Sequence, residues 1–568
     1  MRDFQTIQRT SYDVVVIGGG INGAAVARDA ALRGLKTILL EKNDFASGTT
    51  SWSTRLIHGG LRYLEYLEFN LVRESLRERE ALLSTASHLV KPIQMTIPIY
   101  KQGSRGYWVI QAGMLLYDLL SFDKTLLSHR MLPERKFQQL FRFVNRKGLA
   151  GAAQYYDGQA EYAERLCLEN ILSAQEAGAT VLNHAAVTHL YRQGKQLIAL
   201  GCEDRLTGET FTIKDCDRAV VINTSGPWVD AICQLGCEGE PDSKAVHSAP
   251  IGNKPKMGGT KGSHIIVEAF PGAPEGALYV EAEADGRPFF IVPWLGMYLI
   301  GTTDLRYQGS LDRIKASNEE IDYLIRETNH ILPTANLSRE DVRFTYSGVR
   351  PLPYSEGAKP GSITRSHILF DHEKEGVANL ISLIGGKLTT YRQVGEEMVD
   401  AVYRKLKRPA PKSSTLKKPL PGKIWPDDPR IEQALDAYKD RIPSTTIKHL
   451  FALYGANAIA VLALVDGAPD LAEPIVERLP DIRAQIVYAV QSELACTFVD
   501  ICRRRTALAM KANYGFDALP ALTDTLIKHC GWTREECDRQ AQEYRTYIEN
   551  NCLPDYAIAA PEPQPTLA

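Results

Sequence analysis

No run of 18 or more apolar residues occurs in the 568-residue chain, so no segment is expected to cross a bilayer as a helix. Charge of one sign is missing too: 66 Lys and Arg face 68 Asp and Glu, a formal net charge of -2, which gives no basic field for nucleic acid. The ten cysteines form no C-x-x-C pair, and neither a metal centre nor a disulfide framework is expected. Residues 1–11 are short and polar, without the apolar core of a secretory signal. Reduced thiols in a cytoplasm-facing protein are therefore the expectation. No internal repeat stands out.

What is present is organised around Tyr12 to Glu41. Val14 to Ile17 reads as a buried strand, Gly23 to Arg33 as a helix and Thr37 to Leu40 as a second strand ending in an acid. Gly18, Gly20 and Gly23 supply G-x-G-x-x-G in that strand-to-helix context. The pattern gives a tight turn, a close approach for a pyrophosphate, and close helix packing at a helix N-terminus. Glu41 is placed to accept from a ribose 2'-OH and to repel a 2'-phosphate, which predicts FAD or NAD rather than NADP.

A hydroxyl-rich loop follows, Ser47 to Arg55, leading into Ile57-His58-Gly59-Gly60-Leu61-Arg62-Tyr63. Its short donors suit a pyrophosphate or a ribityl chain. A helix is expected over Glu65 to Leu83, with the run Arg73-Glu74 and Arg77 to Glu80 as its solvated face. Tyr107 to Phe122 is strongly apolar with only Asp118 charged, and reads either as a core helix or as one lying in a membrane interface. Strands are expected between Val181 and Ile222, the latter running into Gly226, and again between Gly262 and Asp304. Leu380 to Arg392 repeats the strand, glycine and helix grammar at Gly385 and Gly386. Two such sites suit FAD held at both ends by one interrupted domain. Residues 408–426 are a Pro/Lys/Ser linker to an all-helical domain, in which Ile486, Val490, Leu494, Phe498 and Ile501 share a helical stripe and Asp500 pairs with Arg504.

Arg62, Arg350, Arg365 and Lys387 stand in or beside glycine- or proline-marked loops and suggest an anionic substrate, since arginine forks hold phosphate or carboxylate bidentately. His264, in KGSH, is the preferred general base and His58 the second choice; His88, His129, His184, His330 and His449 lack such contexts.

In order and spacing, IGGGINGA, STRLIHGGLRYLE, KGSHIIV, IVPW, GTTD, YSGVRPL, ITR and GGKLTTYR resemble the FAD-dependent, quinone-reducing respiratory glycerol-3-phosphate dehydrogenases. The likeness covers Tyr12 to Arg392 and continues through YAVQSELACTFVDICRRRTALA; the chain departs from the family pattern at Trp52 and across Glu161 to Leu166. It implies a mixed α/β fold: a Rossmann-like FAD domain of the glutathione-reductase and amino-acid-oxidase type over 12–407. That domain would be interleaved with a β-sheet substrate domain at roughly 85–150 and 240–350, followed by the helical domain at 427–553. Residues 1–11 would be an extension and 554–568 a flexible tail. The cofactor contacts so implied are Gly18, Gly19, Gly20, Asn22, Gly23, Glu41, Thr50, Ser51, Ser53, His58, Gly60, Gly226, Gly385, Lys387, Leu388 and Thr389. The catalytic set is His264, Arg62, Tyr63, Arg350, Arg365 and Lys387. The implied reaction moves the C2 hydride of glycerol 3-phosphate to flavin, and electrons then go to a membrane quinone. The implied protein is a homodimer, peripheral on the cytoplasmic membrane face. Competing expectations are an oxygen-reducing oxidase that forms hydrogen peroxide, a flavin-binding protein without catalysis, and an amino-acid oxidase-like enzyme with a carboxylate substrate.

Overall fold

Val14–Ile17 is the middle of the sheet that carries everything else. In the computed structural model, which describes residues 2–557 except Ser104, Asp242, Lys244, Ala245, Lys359 and Ala512, it pairs in parallel with Thr37–Leu40 on one side and Val220–Asn223 on the other. Thr180–Leu182 and Leu380–Ile384 extend the sheet in parallel, and Ile368–Asp371 closes one edge antiparallel. The three central strands are buried at every position, as strands covered on both faces must be. The helix Ile21–Leu32 packs between Ala163–Glu176 and Tyr391–Leu406. Segments far apart in sequence thus build one nucleotide-binding layer.

A ten-stranded sheet forms the second layer, with strands drawn from between Leu56 and Gln159 and from between Thr260 and Arg350. It reaches into the first domain through Leu56–Ile57, which pairs with Leu149–Ala160. Thr260–Glu268 lies between Met297–Gly301 and Val342–Arg350, setting His264 opposite Gly301 on one side and Tyr346 on the other. The strand Val342–Arg350 lies beyond the Gly262 to Asp304 stretch in which strands are expected.

Several expectations change. The helix begins at Phe69 and ends at Thr85, after a 3-10 turn at Leu61–Tyr66, and its charged face is not wholly solvated. Glu78 and Arg79 are buried: Arg392 holds Glu78 at 2.6 and 2.7 Å, and Arg79 holds Asp157 at 2.6 Å. The helix is covered on both sides, which hydrophobic periodicity alone does not reveal. Tyr107–Leu120 is not a core helix. Only Met114 and Tyr117 are buried, while Trp108 is 76% exposed and Leu119 68%. The linker is pinned to the first domain, with Arg28 donating to the carbonyls of Lys418 and Pro419 and Gly422 N–H donating to Glu169.

In the C-terminal domain, the stripe from Ile486 to Ile501 is not one helix. Ala484–Ser492 ends, Leu494 takes φ 59°, and a short turn Phe498–Asp500 runs into a π-helical turn Ile501–Arg505. The Asp500 and Arg504 pair is present at 2.7 Å. Ser444–Gly467 has the length and hydropathy of a membrane span, but it breaks at Gly455 into two helices, and half of that stretch is buried. The N-terminal extension is a packed helix, Phe4–Arg9, with Phe4 stacked on Phe211 at 4.6 Å. Most of the expected C-terminal tail lies outside the described residues; its first part forms a turn whose Tyr556 hydroxyl donates to Arg339 O at 3.2 Å.

The domains meet over buried charge. Glu164 accepts from Arg55 at 2.7 Å through both oxygens and from Arg503 at 2.6 Å. Burial opposes its ionisation, but Arg55 and Arg503 outweigh it and draw the carboxyl down to about 2. A depressed carboxyl stabilises the fold above its unfolded value near 4.3 and loses that contribution as pH falls toward 2. Glu164→Gln is expected to cost about 3–5 kcal/mol in urea unfolding at pH 7, because it leaves two buried guanidinium groups short of charge. A change below about 1 kcal/mol would show the network to be dispensable.

Candidate active site: a dinucleotide cleft beside a cation cluster

The glycine motif opens a cleft of about 710 Å³ along the carboxyl ends of the central strands. At Gly23 a side chain is excluded, since a Cβ would lie 1.9 Å from Gly18 O. The helix behind it has Gly20 as its N-cap with no side-chain cap, leaving backbone N–H groups toward the cleft. One of these, Ile21 N–H, donates to Thr50 Oγ1 at 3.0 Å. Glu41 accepts from Gly19 N–H at 2.7 Å and Asn43 N–H at 2.8 Å, and a carboxylate has lone pairs left for a ribose hydroxyl. Gly18, Gly20, Asn22, Glu41, Thr50, Ser53, Gly226, Lys387 and Leu388 all line this cleft.

Asn22 Oδ1 is buried without a hydrogen-bond partner. An orphan acceptor beside a helix N-terminus, in a cleft that runs from Glu41 to Leu388, fits a long dinucleotide with the adenosine at one end and the flavin at the other. Ser51 is a correction: its hydroxyl donates to Ala46 O at 2.6 Å and faces inward, so its place in the cleft wall falls to Thr49 and Thr50. Gly60 and Gly385 carry positive φ in the loops at the far end. There Thr389 Oγ1 accepts from His58 N–H at 3.2 Å, fastening the two loops together. Trp52 is accommodated by Gly348, where a Cβ would come within 2.5 Å of Trp52 Cβ.

The expected catalytic residues do converge. Lys387 Nζ lies 4.1 Å from the ring centre of Tyr63. Burial raises the Tyr63 hydroxyl, against which Arg365, Arg62 and Arg350 all act. Arg350 donates to Asp304 at 3.0 Å and to Thr302 Oγ1 at 3.1 Å, and Arg365 stands 3.6 Å from the other Asp304 oxygen. Burial lowers Arg350 to about 10 and Lys387 to about 7, in each case against an acidic neighbour that pulls the other way. Arg365 Nη1 is buried with no partner. Asp304 serves both Arg350 and Arg365, while Glu68 and Glu74 act on Lys387, so the four cationic side chains still outnumber the carboxylates around them.

His264 is buried, with Nε2 2.9 Å from Thr54 Oγ1, its ring stacked on Tyr346 at 4.7 Å and Nδ1 unpartnered. Burial, then Arg350 and Arg55, hold it well below its ordinary value, so the ring is a neutral proton acceptor. His58 is likewise lowered, to about 3, by burial and Lys387. His88, His129, His184, His330 and His449 each pair with a carboxylate, which accounts for them structurally. Sequence reasoning missed Asp304 and Thr54, although GTTD and STR were singled out as motifs. What it lacked was the fold that sets them against Arg350 and His264.

Fold and cleft define the class, an FAD-dependent oxidoreductase. Residues 13–398 match the FAD dependent oxidoreductase family (DAO), and residues 413–537 match the C-terminal domain of alpha-glycerophosphate oxidase. A glycerol-3-phosphate dehydrogenase of Synechocystis sp. is 64% identical over 98% of this chain and 100% of its own length. An aerobic glycerol-3-phosphate dehydrogenase of Staphylococcus saprophyticus is 33% identical over 95% and 94%. The crystal structure of the Bacillus halodurans glycerol-3-phosphate dehydrogenase complexed with FAD superposes with a TM-score of 0.75 at 28% identity, covering 96% of each chain. The chain belongs to the family of FAD-dependent glycerol-3-phosphate dehydrogenases.

Because Lys387 is held near 7, its positive charge fades as pH rises through neutrality. Sulfate, whose own charge is constant over this range, is expected to bind several-fold more weakly at pH 8.5 than at pH 6, as read by competitive inhibition. Lys387→Arg should flatten that dependence; a variant with the same pH profile would take Lys387 out of the anion site.

Proposed function

We propose that the chain oxidises sn-glycerol 3-phosphate at C2 to dihydroxyacetone phosphate and delivers the electrons to a membrane quinone. The observation that carries this reading is the cluster of Arg62, Arg350, Arg365 and Lys387 around Tyr63, beside the far end of the FAD cleft. Arg350 and Arg365 hold the phosphate, with Arg62 and Lys387 assisting, and the unpartnered Nη1 of Arg365 supplies a donor already in place. His264, kept neutral by burial, takes the C2 hydroxyl proton. The cations stabilise negative charge growing on that oxygen. Bound FAD supplies the two-electron acceptor for the hydride. Phosphate is preferred to carboxylate because the cations exceed what one carboxylate would balance.

The quinone, membrane and compartment readings rest on the exposed helix. Trp108, Val109, Leu115, Leu119 and Phe122 are all more than half exposed and lie within one helix and the turn after it, a cluster of exposed apolar residues of the kind that marks a docking surface. Arg73 lies over the Phe122 ring at 4.5 Å, as a cation at an interface would. The same helix touches the site, since Gly59 N–H donates to Tyr117 Oη at 2.9 Å, and Tyr66 and Leu67, three and four residues past Tyr63, continue the apolar surface. A lipid surface docked there brings a lipid-soluble acceptor to the flavin end of the cleft. Ten free cysteines support the cytoplasmic face. A homodimer is part of the same reading, and sedimentation of the detergent-free protein at the monomer mass would remove it.

Arg350→Ala is expected to raise KM for glycerol 3-phosphate by about tenfold or more, each ten corresponding to about 1.4 kcal/mol; wild-type kinetics would strike the phosphate assignment. Replacing Trp108, Leu115 and Leu119 together with Glu should abolish binding to anionic liposomes. Unaltered binding by the folded variant would place docking elsewhere. For the acceptor, a soluble quinone should reoxidise the reduced protein much faster than oxygen does. Rapid oxygen consumption with hydrogen peroxide would favour the oxidase reading, which the name of the matched C-terminal family also carries.

A further inference from the structure

The loop from Glu41 to Arg55 carries Glu41, Thr50 and Ser53 in the cleft wall, yet it has no strand or long helix of its own to hold it. Ala46 and Arg55 both take positive φ, a backbone that needs outside support. Part of that support is local, from Ala46 N–H to Gly19 O at 3.0 Å, Thr49 Oγ1 to Val349 O at 2.8 Å and Asn183 Nδ2 to Asp44 Oδ1 at 2.9 Å, and part comes from the far end of the chain. The carboxylate of Asp44, fully buried, accepts from Arg504 Nε at 2.5 Å and from Arg505 Nη1 and Nη2 at 2.6 and 2.9 Å. The carbonyl of Ser51 accepts from Arg503 Nη2 at 3.2 Å, and the Arg503 guanidinium lies 4.6 Å from the Trp52 ring centre. Arg55, at the end of the loop, shares Glu164 with Arg503.

Three consecutive arginines can point into one interface because they sit on the π-helical turn Ile501–Arg505, whose residues are all buried. Arg504 also lines the cleft itself, together with Thr497 and Tyr547 from the same domain. The helical domain therefore grips the loop at Asp44, Ser51 and Arg55 and supplies part of the wall that faces the cofactor.

We infer that the helical domain is a positioning element for FAD: Arg503, Arg504 and Arg505 hold the 41–55 loop in its binding shape, and FAD binding and docking of this domain form one linked equilibrium. Linkage is reciprocal, so FAD must stabilise the docked domain by the same factor that docking adds to FAD affinity. A domain attached only for stability, or for contact with other proteins, has no such coupling. Arg503 and Arg505 act through the loop and are positioning residues, while Arg504 both holds Asp44 and lines the cleft.

The test uses the full chain, stripped of FAD and reloaded. In the wild-type protein, amide hydrogen exchange across residues 497–510 is expected to slow at least tenfold when FAD binds, though these residues lie outside the Rossmann motif. Identical exchange with and without FAD would overturn the proposal. Arg505→Met should weaken FAD binding, measured by quenching of flavin fluorescence, by at least tenfold, with Arg505→Lys recovering part of the loss. Asp44→Asn should behave as Arg505→Met does. A folded Arg505→Met protein whose Kd for FAD stays within twofold of wild type would also overturn it. Should that variant fail to fold, the wild-type exchange measurement decides alone.

Discussion

The buried ion network between Asp44, Glu164 and the arginines at 503–505 is the constraint on which the arrangement of this molecule rests. Charges removed from water cost several kcal/mol each unless they are paired and fully hydrogen-bonded. Here the pairing is possible in only one relative placement of the two domains. Arg165 with Glu493 and Arg392 with Glu78 follow the same rule at neighbouring contacts. Removing one partner leaves the others buried and uncompensated, which is how the network holds the domains in place. The visible consequence is a cofactor loop held from two sides, by its own domain through bonds such as Ala46 N–H to Gly19 O and by the helical domain through Asp44.

The same physics, with the balance left open, makes the reactive site. Around Tyr63 the cations outnumber the carboxylates, and burial holds Arg350 and Lys387 below their ordinary values. An anion entering this region relieves the imbalance, and the relief is larger for a phosphate than for a single carboxylate. His264 lies at the edge of this field and is kept neutral by burial first and by Arg350 and Arg55 second, which is the protonation state a general base needs. In the proposed reaction, phosphate binding and proton acceptance would both draw on this one arrangement.

Much of this was legible in the sequence where a local rule decides the structure. G-x-G-x-x-G between two apolar runs can hardly be anything else, and Gly385-Gly386 after Leu380 to Ile384 repeats the rule. Where tertiary context decides, sequence misled. Glu78 and Arg79 look solvated until the covering helix is known. Ser51 looks like its neighbour Thr50 until the turn sends its hydroxyl inward. Tyr107 to Phe122 is apolar on nearly every side, so periodicity could not say whether protein or something else covers it; protein buries Met114 and Tyr117 and half-covers Ile110 and Leu120. The stripe from Ile486 to Ile501 keeps a helical period across a real break, because the buried side of a bent segment stays apolar. Asp304 was in view within GTTD, but an acid has no evident partner until Arg350 and Arg365 are brought to it.

The central claim is that this chain removes a hydride from C2 of glycerol 3-phosphate. Rapid anaerobic mixing of the FAD-loaded protein with the substrate carrying deuterium or protium at C2 tests it most directly. The account predicts flavin bleaching with one dihydroxyacetone phosphate formed per flavin, and slower bleaching with deuterium. A flavin that stays oxidised in the presence of saturating glycerol 3-phosphate would contradict it.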